Sequence, residues 1–412
     1  MSDSGRILNP MKKEKEFSVR QSKNERIEAY LREKHDFRFN VIKSKPEYRI
    51  KDDDRLFQPV TKYVLNSFKR RVDTEIGLST SAENIRTILE SDFSPKVHPV
   101  KEYFNGLPRL NPETNGHILQ LSQTVTTANP EKWYEYLTKW LMGVAANAMN
   151  DVGCQNHTCL VLTGEQGKFK TTWLDHLCPR LLKSYLFTGK IDPQNKDILT
   201  MIAEYLFINI NDQLKALNKR DENELKNLIT TPGVKYRRPY DVYIEEYPHL
   251  ASFMASVNGN DFLTDPTGSR RFLPFEVVRI DIDAAGNIDM DKVFSEVMWL
   301  LENDYRYWFV DDEIVELHQA SQQFHVQTVE YEMLMQGFQK PEETDECYMT
   351  TSQILTYLQG YTSIRLGEKR MGEAIAKAGF ERVTKRLHDF SSPVKCYRIK
   401  KVKPNPFFDH DL

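Results

Sequence analysis

Residues 160–174 read LVLTGEQGKFKTTWL. An apolar run suited to a buried strand leads into two glycines, then a lysine and two hydroxyl residues that open a helix pattern. Gly164-Glu165-Gln166-Gly167-Lys168-Phe169-Lys170-Thr171, followed by Thr172, fits G-x-x-x-x-G-K-[ST] in all but the position of Phe169, where a further glycine is usual. A loop of this kind turns backbone N–H groups inward around phosphate, with a lysine for the β/γ-phosphates and a hydroxyl for Mg²⁺. Phenylalanine conflicts with that chemistry only if its backbone must take positive φ, at a cost of about 1–2 kcal/mol.

Outward from this loop, CLVLT, EYLFINI, LASFMASV and FLPFEVV are short apolar runs alternating with helical patterns between about 158 and 280. That alternation predicts an α/β sheet of buried, mostly parallel strands. EYLFININD (204–212) delivers Asn211 and Asp212 to a strand end where P-loop ATPases usually carry two acids. An amide can bind a metal or its water through oxygen, but it has no negative charge and cannot act as a base; a buried strand with a polar end is the plainer alternative. ASFMASVNGNDF delivers Asn258, a residue type able to orient water against a γ-phosphate. Arg270 and Arg271 follow in DPTGSRRF. Paired arginines on a loop suit charge supplied to phosphate across a subunit interface, with a surface salt bridge as the alternative.

The flanks are organised differently. Residues 1–35 are polar, dense in alternating charge, and read as a flexible or marginally helical arm. FRFNVI and YRIKDDDRLF read as two strands joined by a polar turn, and helical patterns fill the rest of 36–150, with Ser81 a candidate cap. The loop and its strands occupy 151–285, a helical extension 286–340, and KPEETDE reads as a linker. From 345 to 412, two short helices and a basic β-hairpin around HDFSSP predict a winged helix. Lys369 and Arg370 open its recognition helix, and Lys385, Arg386, Lys400 and Lys401 decorate its wing.

Composition excludes several classes. With 40% hydrophobic and 28% charged residues over 412 positions, the chain is globular and large enough for two or three domains. No apolar run is long enough for a membrane span, and the first residues lack the apolar centre of a signal peptide, so a cytoplasmic location is expected. Five cysteines do not suggest a disulfide framework. Cys154, His157 and Cys159 have no second ligand pair, so free thiols are expected rather than zinc. Net charge is −3, yet Arg365 to Lys403 holds twelve Lys/Arg against four Asp/Glu, which suggests a nucleic-acid contact at that end.

Taken in order, GEQGKFKTT, NELKNLITTPGVKYRRPYD, SVNGNDFLTDPTGSRRFLPF and the upstream HPVKEYFNGL resemble the virulence-associated E family, related to superfamily-3 helicases and poxvirus-type primase-helicases. The resemblance covers roughly 35–400, and its central motifs are the specific ones. It implies an AAA+-like P-loop NTPase core that assembles on single-stranded or forked DNA as a ring, most often hexameric, using ATP and Mg²⁺. By position, Lys170 would hold the phosphates, Thr171 and Asp212 the magnesium, and Asn258 the sensor place. Arg270 or Arg271 would reach a neighbour's ATP. The segment Val234-Lys235-Tyr236-Arg237-Arg238 would form the hairpin that tracks DNA in the pore, its cations and ring suiting phosphate and base.

Phe169 and Asn211 depart from the family pattern. The expectation is a superfamily-3-like replicative helicase or primase-associated ATPase of a bacterial mobile element, any primase activity lying in a separate protein. Two alternatives stand beside it: a non-motor DNA-binding protein whose oligomer is stabilised by ATP, and a P-loop small-molecule kinase.

Overall fold

The computed structural model describes residues 21–53, 55–238, 242–264, 269–325, 328–342, 347–388 and 390–402. The fold is mixed α/β. Its centre is a six-stranded sheet in the order β5 (Val125–Thr127), β12 (Phe272–Ile280), β6 (Cys159–Thr163), β11 (Ser252–Ser256), β8 (Phe207–Asn211), β7 (Leu186–Gly189). All neighbours are parallel except β5, which closes the edge antiparallel to β12. Successive residues of β6 feed opposite faces: Leu160 and Leu162 join one apolar core, Cys159 and Val161 the other. Such two-faced burial is why these strands read as continuous apolar runs. β5 and β7 are half polar (VTT, LFTG) and did not.

One face is covered by the long helix Pro130–Met149 and by helix Met290–Glu302. Trp133, Trp140 and Trp173 are fully buried there, and each indole N–H finds an oxygen: Ser122 O at 2.9 Å, Thr158 O at 3.3 Å and Thr124 Oγ1 at 2.8 Å. Helix His117–Gln123 starts after Gly116, which has no side chain to cap it. The fully buried Glu296 accepts instead from the His117 and Ile118 N–H groups, at 2.6 and 2.8 Å, so a carboxylate from another helix meets the helix's positive end.

N-terminal to this lies a small sheet of β1 (His35–Asn40), β2 (Lys45–Ile50), β3 (Gln58–Pro59) and β4 (Lys96–Val97), backed by helices Lys62–Glu75 and Ala82–Leu89. Ser81 caps the latter, accepting from Asn84 N at 3.0 Å. Part of the expected arm is folded: Lys23–Lys34 is a helix with a Ser22/Glu25 capping box, and it buries Ile27, Tyr30 and Leu31 against the same core. Three apolar residues at helical spacing were hidden among charges. The first twenty residues lie outside the described ones. β2 begins at Lys45, earlier than expected, so that KDDDRLF lies beyond it.

At the C-terminal end, helices Val329–Gly337, Thr351–Gln359 and Glu368–Lys377 pack on one another beside the sheet β14 (Tyr348–Met349), β16 (Val394–Arg398), β15 (Arg382–Lys385). Lys369 and Arg370 are exposed on the last helix. Lys385 rests its ammonium 4.2 Å from the Tyr348 ring, and Arg386 follows it, exposed. Lys400 and Lys401 are not on this hairpin. They form β17, paired with β13 (Phe338–Gln339), and the Lys401 ammonium sits 4.3 Å from the Tyr357 ring. Ile399, buried, separates β17 from β16. Residues 343–346 of the expected linker and 403–412 lie outside the described residues.

A pH effect follows from His98, which opens helix Pro99–Gly106 by accepting from the Lys101 N–H on Nδ1 at 3.1 Å. Burial, then the Lys101 charge, lowers its pKa to about 4. Folded His98 stays neutral where the unfolded residue, near 6.5, binds a proton. Its contribution is therefore complete above pH 6.5 and is lost as pH falls through 4. Melting scans from pH 7 to 4 should show a loss on the order of 2 kcal/mol that His98→Asn largely abolishes.

Candidate functional site

Three strand ends and one loop converge. β6 runs out at Thr163 into the loop 164–169, and helix Lys170–His176 begins directly after it. β11 lies between β6 and β8, so the C-terminal ends of all three strands share one edge of the sheet. β6 is also where the connections part to either side, the position at which open α/β sheets hold ligands. Three loop residues have positive φ: Gly164 (124°), Gly167 (83°) and Phe169 (58°). A Cβ on Gly164 would stand 3.0 Å from the Val277 carbonyl oxygen, so backbone proximity as well as φ demands glycine there.

Phe169 therefore occupies the conformation the sequence left open. Its side chain is 54% exposed and provides no cap for the helix behind it. Nothing offsets the left-handed backbone. Phe169→Gly should raise stability by about 1 kcal/mol, read as a higher melting temperature.

Lys170 is buried with its ammonium turned back over the loop. Nζ donates to Gly164 O at 3.0 Å, Glu165 O at 2.6 Å and Asn258 Oδ1 at 3.3 Å. Burial lowers its pKa, and the Asp212 carboxylate pulls the other way. Lys168, by contrast, is paired outward with Glu165 at 3.4 Å. Gln166 and Thr172 are exposed. Thr171 Oγ1 lies 2.8 Å from Ser256 Oγ and donates to Asn211 Oδ1 at 3.2 Å, which also accepts from Ser256 Oγ at 3.3 Å. Asp212 follows, exposed, with φ 48° and its N–H on Ser256 O at 3.1 Å. Gly259 N–H reaches Gly164 O at 3.0 Å and ties the Asn258 segment to the loop.

Lys170, Thr171, Asn211, Asp212 and Asn258, all expected from sequence, are thus gathered at one place. Ser256 was missed, because only the register of β11 against β8 sets it opposite Asn211. Asn209, two residues before Asn211 and on the same face, donates to Asp175 Oδ1 at 2.7 Å and was missed too. An ammonium suits phosphate, and two hydroxyls, two amide oxygens and one carboxylate form a hard oxygen set that fits Mg²⁺. That ion usually takes only one or two protein carboxylates and fills its shell with water and phosphate.

Arg270 and Arg271 are elsewhere. They lie in a short 3₁₀ turn just before β12, and Phe272 pairs with Cys159 at the start of β6, so both arginines sit at the opposite edge of the sheet. They line a cleft of about 360 Å³ with His157, Gln155 and Trp308. Neither has a carboxylate partner among the described residues. Burial lowers the Arg271 pKa, and Arg270 adds to that. Residues 265–268, including Gly268, lie outside the described ones. Cys154 donates to Asn156 O and Ile229 O, and burial pushes its pKa up to about 12. Cys159 is inside β6, and His157 Nε2 lies 2.9 Å from Cys154 O, so these three residues are engaged in local packing.

The expected hairpin is present as β9 (Gly233–Tyr236) and β10 (Glu245–Pro248), paired antiparallel. Lys235 is exposed against Glu246 at 3.2 Å, and Arg237 is exposed. Tyr236 is half-buried and packs on Tyr247, ring centres 4.7 Å apart. Arg238 is not available to a ligand. It is buried, donates to Ile42 O at 2.7 Å, faces Glu204 at 3.6 Å and lies 4.4 Å from the Tyr247 ring. A guanidinium long enough to reach the β1–β2 turn has been used to anchor the hairpin root.

A family model, the virulence-associated protein E-like domain, matches residues 115–327. No curated protein matches the chain. Among solved structures, an apo structure of the NrS-1 C-terminal region (305–718) aligns over 91% of this chain and 98% of that one, at 11% identity and TM-score 0.50. An A-form apo structure of the same region aligns over the same shares at 12% identity and TM-score 0.47. At such identity the first of these speaks for the fold alone. No helix among the described residues is long and apolar enough to cross a membrane.

Proposed function

This chain belongs to the virulence-associated protein E-like family, and from that premise we propose that it is an ATP-driven motor acting on DNA during replication of a bacterial mobile element. In this reading the central sheet is an AAA+-like P-loop NTPase core of the superfamily-3 type. The C-terminal helices and β15–β16 hairpin form a winged helix, and the working form is a ring, most often a hexamer. The observation that carries the proposal is the convergence of Lys170, Thr171, Asn211, Asp212 and Asn258, from three separate segments, onto one edge of the sheet.

Roles follow from the contacts. Lys170, on meeting a phosphate, exchanges carbonyl partners for phosphate oxygens. Thr171 Oγ1, Asn211 Oδ1 and Asp212 would hold Mg²⁺, which polarises the γ-phosphate when bound. Asn258, already beside Lys170, is suited to orient water. Lys235 and Arg237 are the hairpin cations left to engage a DNA strand, while Lys369, Arg370 and Arg386 are exposed on the winged helix. A separate primase partner and a cytoplasmic location complete the reading.

Asn211 favours a second reading, in which bound ATP supports the oligomer and hydrolysis is weak. Its Oδ1 holds Thr171 as a carboxylate would, but without the charge that binds Mg²⁺ tightly. Asn211→Asp should raise the DNA-stimulated hydrolysis rate at least about tenfold, a barrier change of about 1.4 kcal/mol. Steady-state phosphate release with and without single-stranded DNA tests both readings. If neither protein hydrolyses ATP, the motor proposal fails and the second reading stands.

A further inference from the structure

A strongly cationic cleft shares no residue with the site above. It is about 510 Å³ in volume and lies between the small N-terminal sheet and the 3₁₀ turn Arg180–Tyr185 of the central domain. Among the described residues, seven lysine or arginine side chains line it against one acid, Glu47. Three of the seven are already paired. Arg38 meets Glu47 at 2.7 Å, Arg49 meets Asp36 at 2.8 Å and Arg55 meets Asp53 at 2.6 Å.

The other four have no ion pair among the described residues, and they come from both walls: Lys43 from the β1–β2 turn and Lys45 from β2, Arg180 and Lys183 from the central domain. Lys43 is half-buried, its ammonium 4.2 Å from the Tyr205 ring and 5.3 Å from that of Tyr185. Lys183 is held by the Asp175 carbonyl and Lys43 lies near the Glu204 charge, but Lys45 and Arg180 are exposed on opposite walls, and an anion between them relieves both.

The lining also tells which anion. Leu56 and Leu181 are each 51% exposed at the mouth. Phe57 has the guanidinium groups of Arg38 and Arg49 at 4.2 and 4.9 Å from its ring centre. Apolar and planar groups interleaved with cations suit bases and phosphates together, which a single strand offers and a duplex, with its bases stacked inside, does not. We propose that this cleft binds single-stranded nucleic acid, Lys45 and Arg180 taking phosphates from opposite walls while Leu56, Phe57 and Leu181 take bases. It stands without the hairpin reading, although the two surfaces adjoin: Arg238, at the hairpin root, donates to the carbonyl of Ile42, next to Lys43.

The test uses the full chain and a fluorescein-labelled oligo(dT) of about 20 nucleotides, titrated by anisotropy over a salt series. Lys45→Glu combined with Arg180→Glu alters two exposed side chains without ion pairs, and a thermal melt checks that the fold is kept. The expected result is about tenfold weaker binding and a salt slope shallower by about 1.4, near 0.7 for each lost contact. Unchanged affinity and slope overturn the proposal. So does an equal loss of blunt-duplex binding in the same variant, or displacement of the oligonucleotide by polyglutamate at equal charge. Oligo(rU) in parallel tells whether the cleft prefers DNA or RNA, and weakening of either in the variant supports it. Lys235→Glu with Arg237→Glu separates the hairpin: loss there alone overturns the cleft, and loss in the cleft variant alone removes the hairpin reading and leaves the cleft. Photocrosslinking with a thiothymidine-substituted strand should mark the peptides that carry Phe57 or Leu181, and crosslinks confined to the C-terminal residues 347–402 count against it.

Discussion

Lys170→Ala should weaken ATP binding by at least about a hundredfold, read by equilibrium titration with a fluorescent ATP analogue. The wild-type ammonium is held by the Gly164 and Glu165 carbonyls and the Asn258 amide oxygen, all from the loop or its neighbour. Removing it takes away a charge-assisted bond to phosphate, worth about 1.5–3 kcal/mol. It also leaves two carbonyl oxygens turned toward an anion, so the loss exceeds that of a single hydrogen bond. Lys168→Ala is the control, because Lys168 is already spent on Glu165 at the surface; a few-fold change at most is expected there. Normal affinity in Lys170→Ala would sink the nucleotide site. Equal losses in both variants would mean that general positive charge, rather than this ammonium, attracts the ligand.

How far the site was legible follows from where its parts lie. Strands buried on both faces write themselves as apolar runs, so CLVLT, FININ and SFMAS were visible, and with them the residues at their ends, Asn211, Asp212 and Asn258. Ser256 was not, because a serine ending an apolar strand is unremarkable until β11 is known to lie between β6 and β8. Phe169 shows a different limit: its identity was plain, but the positive φ that makes it costly is set by the loop's closure on Gly259 and Val277. Arg238 shows a third. Next to Arg237 in sequence it is the same chemistry, yet one side chain is exposed and the other crosses to Ile42, 196 residues away along the chain. Charge clusters in sequence mark a region, and only packing tells which charges remain for a partner. The basic cleft behind Lys45 and Arg180 is the converse. Its two walls, one holding Lys45 and the other Arg180, come from segments too far apart for a single run to show them together.

Arg271→Ala should lower the rate of ATP hydrolysis about a thousandfold, while changing nucleotide affinity by no more than a few-fold. The geometry gives the reason. Arg271 precedes Phe272, which pairs with Cys159 at the start of β6, whereas the loop 164–169 begins past the end of β6. Five residues of strand, about 15 Å, separate the two along the sheet. A side chain at one edge cannot serve a phosphate at the other edge of the same subunit. Two neighbouring arginines with no carboxylate among the described residues, one partly buried, are costly to keep unless an anion reaches them from outside. In the proposed ring that anion would be the neighbour's γ-phosphate, and the prediction becomes one about mixtures. Lys170→Ala subunits keep the arginine and lose the loop, whereas Arg271→Ala subunits keep the loop and lose the arginine. Each alone should be inactive, and mixing them should restore part of the hydrolysis, because some interfaces then pair an intact loop with an intact arginine. Arg270→Ala, measured alongside, tells which of the pair makes the contact. Hydrolysis by Arg271→Ala at the wild-type rate, or no recovery from mixing two folded, co-assembled variants, would mean that the arginines do not complete a neighbour's site.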